Sequence, residues 1–136
     1  MTDPSSMLPT RVVVLGASPN PERYAFTATR MLLAHGYEVF PVGIKSGTIE
    51  GIPILTGKPK IPDIHTVSLY LSPTHQIDIF DYILSLQPKR VIFNPGTENP
   101  ILDLKLREAG ILTEEACTLV LLSTGTFMDI PAPNPA

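Results

Sequence analysis

Residues 11–16 read Arg-Val-Val-Val-Leu-Gly, and residues 17–23 continue as Ala-Ser-Pro-Asn-Pro-Glu-Arg. The uninterrupted β-branched run is typical of a strand that helices cover on both faces, as in a parallel sheet. Residues 24–35 follow with apolar side chains at helical spacing, and residues 37–42 read Tyr-Glu-Val-Phe-Pro-Val as a second strand. A strand–helix–strand unit of about thirty residues predicts a βαβ crossover.

Strand-like and helix-like segments continue to alternate along the chain. Residues 52–55 are a candidate edge strand, because a proline within the run removes a ladder hydrogen bond. Ser72 and Pro73 favour a helix start as N-cap and first helical residue. The other predicted elements are strands at 66–71 and 90–94, a helix after Ser72 with Ile77, Phe80 and Leu84 on its apolar face, a helix at 100–109, and β-like runs at 111–113 and 118–122.

This alternation predicts an α/β fold, a Rossmann-like three-layer sandwich with a mostly parallel sheet of five or six strands. We expect the strand order 3-2-1-4-5, extended to 3-2-1-4-5-6 by a last strand, with residues 52–55 as a weak third strand. The domain is predicted to span residues 11–127. Residues 1–10 and the proline-rich residues 128–136 are expected to be flexible tails.

The composition excludes several classes of protein. Ten basic and thirteen acidic residues give a net charge of -3, and the absence of a basic run argues against nucleic-acid binding. No apolar stretch approaches the roughly 18 residues of a membrane span. The first ten residues do not resemble a signal peptide, and one cysteine cannot form an intramolecular disulfide, so a cytoplasmic location is expected. The sequence leaves open whether the protein forms a homo-oligomer.

The loop after the first strand is the sharpest candidate for a ligand site. In a doubly wound sheet, ligands bind beyond the carboxyl ends of the strands, where the strand order reverses. Gly16 permits a tight turn there, and Ser18 offers a hydroxyl group and a backbone N–H. The positive end of the following helix is suited to phosphate, and Arg23 can add a charge-assisted contact. We therefore expect a small-molecule nucleotide ligand.

The residues argue against NAD. The G-x-G-x-x-G fingerprint is absent from the first loop, and the second strand ends at Pro41-Val42 without a carboxylate for the ribose hydroxyls. Lys45 lies just beyond and can meet a phosphate on the ribose. A nucleotide with a phosphorylated ribose is therefore expected, which leaves NADP open as one candidate.

The stretch from Arg11 to about Phe127 resembles the small CoA-binding domain family, which is related to the nucleotide-binding domain of the succinyl-CoA synthetase α subunit. The matching segments are residues 14–24, 35–42, 51–53, 71–73 and 94–99. By that resemblance, the ligand is CoA or an acyl-CoA. Its phosphates would contact Gly16, Ala17, Ser18 and Arg23, its adenine Pro41 and Val42, the opposite wall Ser72 and Pro73, and its pantetheine arm Asn94, Pro95 and Gly96.

The chain departs from that family at Gly43-Ile44, where members commonly carry Asn-Pro. This difference bears on the contacts to adenine and ribose. It also leaves a third function possible, in which the chain is an interaction domain whose nucleotide site has decayed.

No catalytic or metal-binding residues are predicted. His35, His65 and His75 lack metal-ligand spacing, and Ser18 lacks the second glycine of a nucleophile elbow. We expect Cys117 to be a core residue. The alternative is that its thiol group lies near the thiol end of bound CoA. The sequence thus favours a stand-alone, non-catalytic protein that binds CoA or acyl-CoA. An enzyme or enzyme subunit that uses NADP or acyl-CoA is the alternative.

Overall fold

A computed structural model describes residues 8–129, and five parallel strands form its central sheet. Predictions for residues 1–7 and 130–136 lie outside the described residues. The strands are β1 (Arg11–Leu15), β2 (Glu38–Val42), β3 (Thr48–Ile49), β4 (Ile52–Pro53), β5 (Thr66–Leu69), β6 (Arg90–Phe93) and β7 (Leu112–Glu115). The helices are α1 (Tyr24–Ala34), α2 (Ile79–Leu86), α3 (Pro100–Glu108) and α4 (Thr118–Ser123), with a 3₁₀ turn at Pro73–His75.

The central sheet has the order β2-β1-β5-β6-β7, which confirms the predicted Rossmann-like α/β fold. Every neighbouring pair in it runs parallel. Successive side chains of a strand point to opposite faces, so the two faces have separate cores. Val12 and Val14 of β1 belong to the core that includes α1 and α4 residues, whereas Val13 and Leu15 belong to the core that includes α2 and α3 residues. None of the helices in the described part of the chain has the length and apolar character that crossing a bilayer requires.

The predicted third strand is mostly part of a separate hairpin. Ile52–Pro53 pairs antiparallel with Thr48–Ile49, and only Leu55 adds to the sheet, through a single parallel bridge to Val42. If the Leu55 bridge is counted as a strand next to β2, the strand order is the predicted 3-2-1-4-5-6. Glu50 and Gly51 both have positive φ, 51° and 79°, which is the conformation of a tight hairpin turn. The hairpin is anchored because the Ile49 side chain is wholly buried.

Two predicted elements are wrong in the structure. Residues 118–122 form α4 rather than a strand, because an apolar run this short has no decisive period and tertiary contacts decide it. The Asn94 side chain accepts a hydrogen bond from the backbone N–H of Thr118 at 2.8 Å and so caps α4. The helix expected to start at Pro73 makes only a 3₁₀ turn there, and α2 begins at Ile79. Its buried residues are Tyr82, Ile83 and Leu86, whereas Ile77 and Leu84 are exposed.

A buried arginine ties the amino-terminal edge of the sheet together. Arg90 has no solvent exposure, and its Nη1 donates to the carbonyl oxygen of Phe127 at 2.6 Å. The same nitrogen lies 3.4 Å from Glu114 Oε1, and the guanidinium sits 4.6 Å from the centroid of the Phe127 ring. Arg90 therefore holds the chain that follows α4 against the core.

Replacing Arg90 should strongly destabilise the fold. Arg90→Met removes the donor for Phe127 and leaves the largely buried Glu114 carboxylate unpaired, so we expect a loss of about 2–4 kcal/mol in the free energy of unfolding. Urea unfolding measures this. Arg30→Met is the matched control, because the side chains of Arg30 and of its partner Glu50 are 59% and 53% exposed. Equal losses in the two variants would contradict the role of Arg90.

His65 gives the fold a pH dependence. Burial, together with the neighbouring positive charges of Arg90 and Lys89, lowers the pKa of His65 from its ordinary 6.5. The unfolded chain therefore binds this proton more readily, and stability present above pH 6.5 is lost as the pH falls towards the folded-state pKa.

His65→Asn should remove this dependence while retaining a polar group near Thr66 Oγ1, which lies 2.8 Å from His65 Nδ1. We expect the stability difference between the parent and His65→Asn to shrink between pH 7.5 and 5.5. Urea midpoints at these two pH values measure the stability difference. Contributions from His35 and His75 are the same in both proteins and do not enter the difference. A difference that stays constant with pH would show that folding does not lower the pKa of His65.

Candidate functional site

Four loops meet at one edge of the sheet, where the carboxyl ends of the parallel strands lie. They follow β1, β2, β5 and β6, and we call them the rim loops; they contain every site residue predicted from the sequence except Pro41 and Val42, which are the last two residues of β2. Between β1 and β5 the connections change face, since α1 belongs to one core and α2 to the other. This is the switch point at which open α/β sheets bind ligands.

The turn after β1 depends on Gly16. Its φ is 99°, and a Cβ atom at this position would lie 2.9 Å from the carbonyl carbon of Tyr70. The backbone N–H groups of Gly16 and Ala17 both donate to the carbonyl oxygen of Val42 at 2.9 Å. This shared acceptor joins the loop after β1 to the end of β2. The Ala17 side chain is buried, so Ala17 contributes to the shape of the loop.

Free hydrogen-bond donors begin one residue later. The backbone N–H of Ser18 has no partner among residues 8–129, and the N–H groups of Tyr24 and Ala25 at the start of α1 also have none there. Arg23 is the N-cap of α1 but makes no side-chain cap, and the first turn contains no acidic residue. Unpaired N–H groups at the positive end of a helix favour an anion.

The loop itself is internally braced. Ser18 Oγ accepts a hydrogen bond from the N–H of Asn20 at 3.1 Å, and Asn20 Oδ1 accepts one from the N–H of Glu22 at 3.0 Å. These local bonds are typical of turns built by short polar side chains. Arg23 is exposed and forms no salt bridge within the described residues.

The segment after β2 forms the wall next to this loop. Pro41 and Val42 are buried, and a Cβ atom at Gly43 would overlap the carbonyl oxygen of Ala17. This close approach leaves no room for a side chain at Gly43. Pro19 packs against Gly47, where an added Cβ would lie 2.8 Å from Pro19 Cβ. Lys45 is exposed on this segment.

Asn94 connects the strands on the other side of the switch point. Its side chain has no solvent exposure, and its Nδ2 donates to Ser68 Oγ and to the carbonyl oxygen of Leu69, both at 2.9 Å. Its Oδ1 accepts from Thr118 N–H, as described above. The Asn94 amide is therefore occupied within the protein, and Asn94 acts on the loop by positioning Pro95 and Gly96.

Gln76 is a site residue that sequence reasoning missed. Its buried Nε2 donates to the carbonyl oxygens of Leu71 at 2.6 Å and Thr97 at 2.8 Å, and its Oε1 accepts from Asn99 Nδ2 at 3.0 Å. It thereby links the loop after β5 to the loop after β6. The sequence offered no signal for it, because a glutamine after a proline-initiated turn is usually exposed.

The back of the site contains Tyr70, whose backbone N–H donates to the Leu15 carbonyl oxygen at 2.7 Å. Its hydroxyl group is buried close to Ser68 and Thr118 without a hydrogen bond of ordinary geometry. Burial raises the pKa of Tyr70 to about 12. Tyr70 is therefore a neutral phenol at ordinary pH. Cys117 is half-buried before α4.

Two features of the described residues could suggest other chemistry. Ser72 Oγ lies 2.9 Å from His75 Nδ1, but both side chains are exposed and the pair spans a single 3₁₀ turn. No group of three or more His, Cys, Asp or Glu side chains within residues 8–129 could hold a metal ion. The Ser72–His75 pair is thus a local turn contact rather than a buried nucleophile and base.

An apolar groove runs along the outer edge of β2 and reaches Pro41, one of the predicted adenine contacts. Its volume is about 520 Å³, and Leu33, Tyr37, Phe40, Pro53 and Leu55 are among its lining residues. It contains none of the unpaired N–H groups described above. The rim is an open surface that offers donors, whereas the groove is a largely apolar surface.

The parallel sheet, its switch point and the uncapped start of α1 define a Rossmann-like α/β protein. More particularly, the chain belongs to the CoA binding domain family, whose sequence pattern matches residues 10–123. No protein of curated function matches the chain.

Solved structures share this fold. A crystal structure described as an uncharacterized protein is 48% identical, with a TM-score of 0.85, and the match covers 88% of this chain and 99% of that one. A Thermus thermophilus structure, cell-free ID.343, is 27% identical with a TM-score of 0.75 over 88% and 91% of the two chains. A dinucleotide-forming acetyl-coenzyme A synthetase from Ca. Korarchaeum cryptofilum, 19% identical, shares the fold with a TM-score of 0.64 over 79% of this chain and 26% of that one.

Gly16 should be intolerant of a side chain. Gly16→Ala adds a Cβ atom against the Tyr70 backbone in a positive-φ conformation, so we expect stability to fall by more than the roughly 1 kcal/mol that the conformation alone costs. Gly57→Ala is the matched control, because Gly57 has a φ of 78° with nothing within 4 Å of the added atom. Urea unfolding of both variants separates strain from steric overlap. Equal losses would contradict the close approach at Gly16.

Proposed function

We propose that the chain is a stand-alone CoA-binding protein that holds CoA or an acyl-CoA across the four rim loops and does not itself catalyse a reaction. The observation that carries this proposal is the set of unpaired N–H groups of Ser18, Tyr24 and Ala25 at the switch point. Membership of the CoA binding domain family supports CoA as the ligand class.

The pyrophosphate is assigned to the loop after β1. The N–H of Ser18 and the first turn of α1 would donate to its oxygens, and the exposed Arg23 would add a charge-assisted contact. Gly16 and Ala17 would shape this phosphate site without contacting the ligand, since both of their N–H groups already donate to the carbonyl oxygen of Val42. Because the loop is braced by its own hydrogen bonds, little loop entropy is lost on binding.

The adenosine end is assigned to the segment after β2. Pro41 and Val42 are buried at the base of this segment, and the adenine would lie over them beside Gly43. Lys45 is free to meet the 3′-phosphate of the ribose, the group that distinguishes CoA from dephospho-CoA. NADP also carries a phosphorylated ribose, so ligand selection is a direct test of this assignment.

The pantetheine arm is assigned to the loops after β5 and β6. Ser72 and Pro73 would form one wall, and Pro95 and Gly96 the other, with Asn94 and Gln76 holding both walls in place. Gly96 N–H is bound by Glu98 Oε1 at 2.8 Å, so the loop is fixed before any ligand arrives. The thiol end would remain accessible, as suits a protein that stores, senses or presents CoA.

Ligand-dependent thermal unfolding tests the proposal. A ligand at about one hundred times its Kd stabilises by about 2.7 kcal/mol, which raises the Tm of a domain this size by roughly 8 °C. The panel is CoA, dephospho-CoA, NADP, NAD and AMP. We expect CoA to give the largest shift. A shift with NADP alone would favour the enzyme alternative, and no shift with any ligand would favour a decayed site.

Two variants locate the ligand. Ser18→Trp should abolish the rise in Tm with CoA, because the indole would cover the phosphate site after β1. The Tm of the free variant should stay close to that of the parent. Lys45→Ala should lower the affinity for CoA about tenfold, the order of one charge-assisted contact, and leave the affinity for dephospho-CoA unchanged. Isothermal titration calorimetry measures both. Equal effects of Lys45→Ala on the two ligands would place the 3′-phosphate elsewhere.

A further inference from the structure

The segment after β2 touches the loop after β1 at two points, one on each side of Ser18. A Cβ atom at Gly43 would overlap the carbonyl oxygen of Ala17, and one at Gly47 would lie 2.8 Å from Pro19 Cβ. Ala17 and Pro19 are the chain neighbours of Ser18, whose N–H has no partner among the described residues. Glycine at both contacts therefore lets the two segments approach closely around this donor.

Gly47 lies at the root of the β3–β4 hairpin, which is firmly held. The carbonyl oxygen of Gly47 accepts a hydrogen bond from the N–H of Ile54 at 2.8 Å. Ile54 and Ile49 are both buried in the core that includes α1 residues. At the tip, Glu50 Oε1 lies 2.8 Å from Arg30 Nε of α1. The hairpin is therefore fixed at its root, its centre and its tip.

Pro19 connects this fixed hairpin to the free donor. The residues that follow Pro19 in the loop are exposed, so an overlap between Pro19 and Gly47 displaces the loop rather than the buried hairpin. The ring fixes φ of Pro19 and restricts Ser18, the residue before it, to extended conformations. A displacement of Pro19 is therefore taken up at the peptide group between Ala17 and Ser18, which carries the free N–H.

We propose that Gly47 is a positioning residue of the phosphate site, which acts through Pro19 to direct the Ser18 N–H towards a bound pyrophosphate. This inference rests on the proposed CoA site. The hairpin contains none of the residues predicted to contact the ligand, and its role is to support the loop that does. Because the supported donor faces the pyrophosphate, CoA and dephospho-CoA depend on Gly47 equally.

Isothermal titration calorimetry of Gly47→Ala with CoA and dephospho-CoA tests the inference. The added Cβ atom overlaps Pro19, so both affinities should fall about tenfold, the order of one hydrogen bond to a charged group. Equal losses distinguish this effect from that of Lys45→Ala, which should weaken CoA alone. Gly51→Ala is the matched control, because nothing lies within 4 Å of the Cβ atom that it adds to the same hairpin. It should bind both ligands within about twofold of the parent.

A double variant tests the route through Pro19. Pro19→Gly removes the Cβ atom that Gly47→Ala meets and frees the backbone, so alone it should weaken both ligands about threefold. Pro19→Gly/Gly47→Ala should bind CoA as tightly as Pro19→Gly, whereas independent effects would combine the two losses. Pro19→Gly changes a surface loop and so tests the inference even if Gly47→Ala does not fold.

Amide NMR adds a readout that a merely structural role would not move. In Gly47→Ala, the shift change that CoA induces at Ser18 should shrink, while Tyr24 and Ala25 keep theirs. Unchanged CoA affinity of Gly47→Ala or Pro19→Gly, an equal loss in Gly51→Ala, combined losses in the double variant or an unaltered response of Ser18 would each overturn this inference and leave the proposed function intact. Absence of CoA binding by the parent would overturn both.

Discussion

The site depends on one carbonyl group, that of Val42, which accepts hydrogen bonds from the N–H groups of both Gly16 and Ala17. This shared acceptor fixes the loop after β1 to the end of β2. It requires the positive φ of Gly16 and leaves no room for a side chain at Gly43. Because two successive N–H groups are used in this way, the first donor that remains for a ligand is that of Ser18.

A second network holds the other half of the rim. Asn94 joins β5, β6 and α4 through its buried amide, and Gln76 joins the loops after β5 and β6. Satisfied buried amides of this kind rigidify a structure, because each broken bond would leave a desolvated group without a partner. The two halves meet at Tyr70, whose backbone contacts Gly16. The rim is thus a fixed frame that offers its free donors at the start of α1.

Much of the fold could be predicted from sequence, because β1, α1 and β2 each carry a period and a stop signal that local chemistry explains. Residues 118–122 could not, since a short apolar run fits a strand or a helix, and only the distant Asn94 cap decides. The predicted start of α2 was wrong for a related reason. Ser72 and Pro73 are typical of a helix start, but the chain bends after one 3₁₀ turn so that Gln76 can reach Thr97. The buried role of Asn94 was also invisible, because no local pattern marks a side chain whose partners lie at Ser68 and Thr118.

The central claim is that the ligand sits at the start of α1 rather than in the apolar groove along β2. Backbone amide NMR during a titration with CoA tests it most directly. We expect the largest chemical-shift changes at Ser18, Tyr24 and Ala25, with Leu33 and Tyr37 in the groove unchanged. Changes confined to the groove, with those three amides unmoved, would contradict the account.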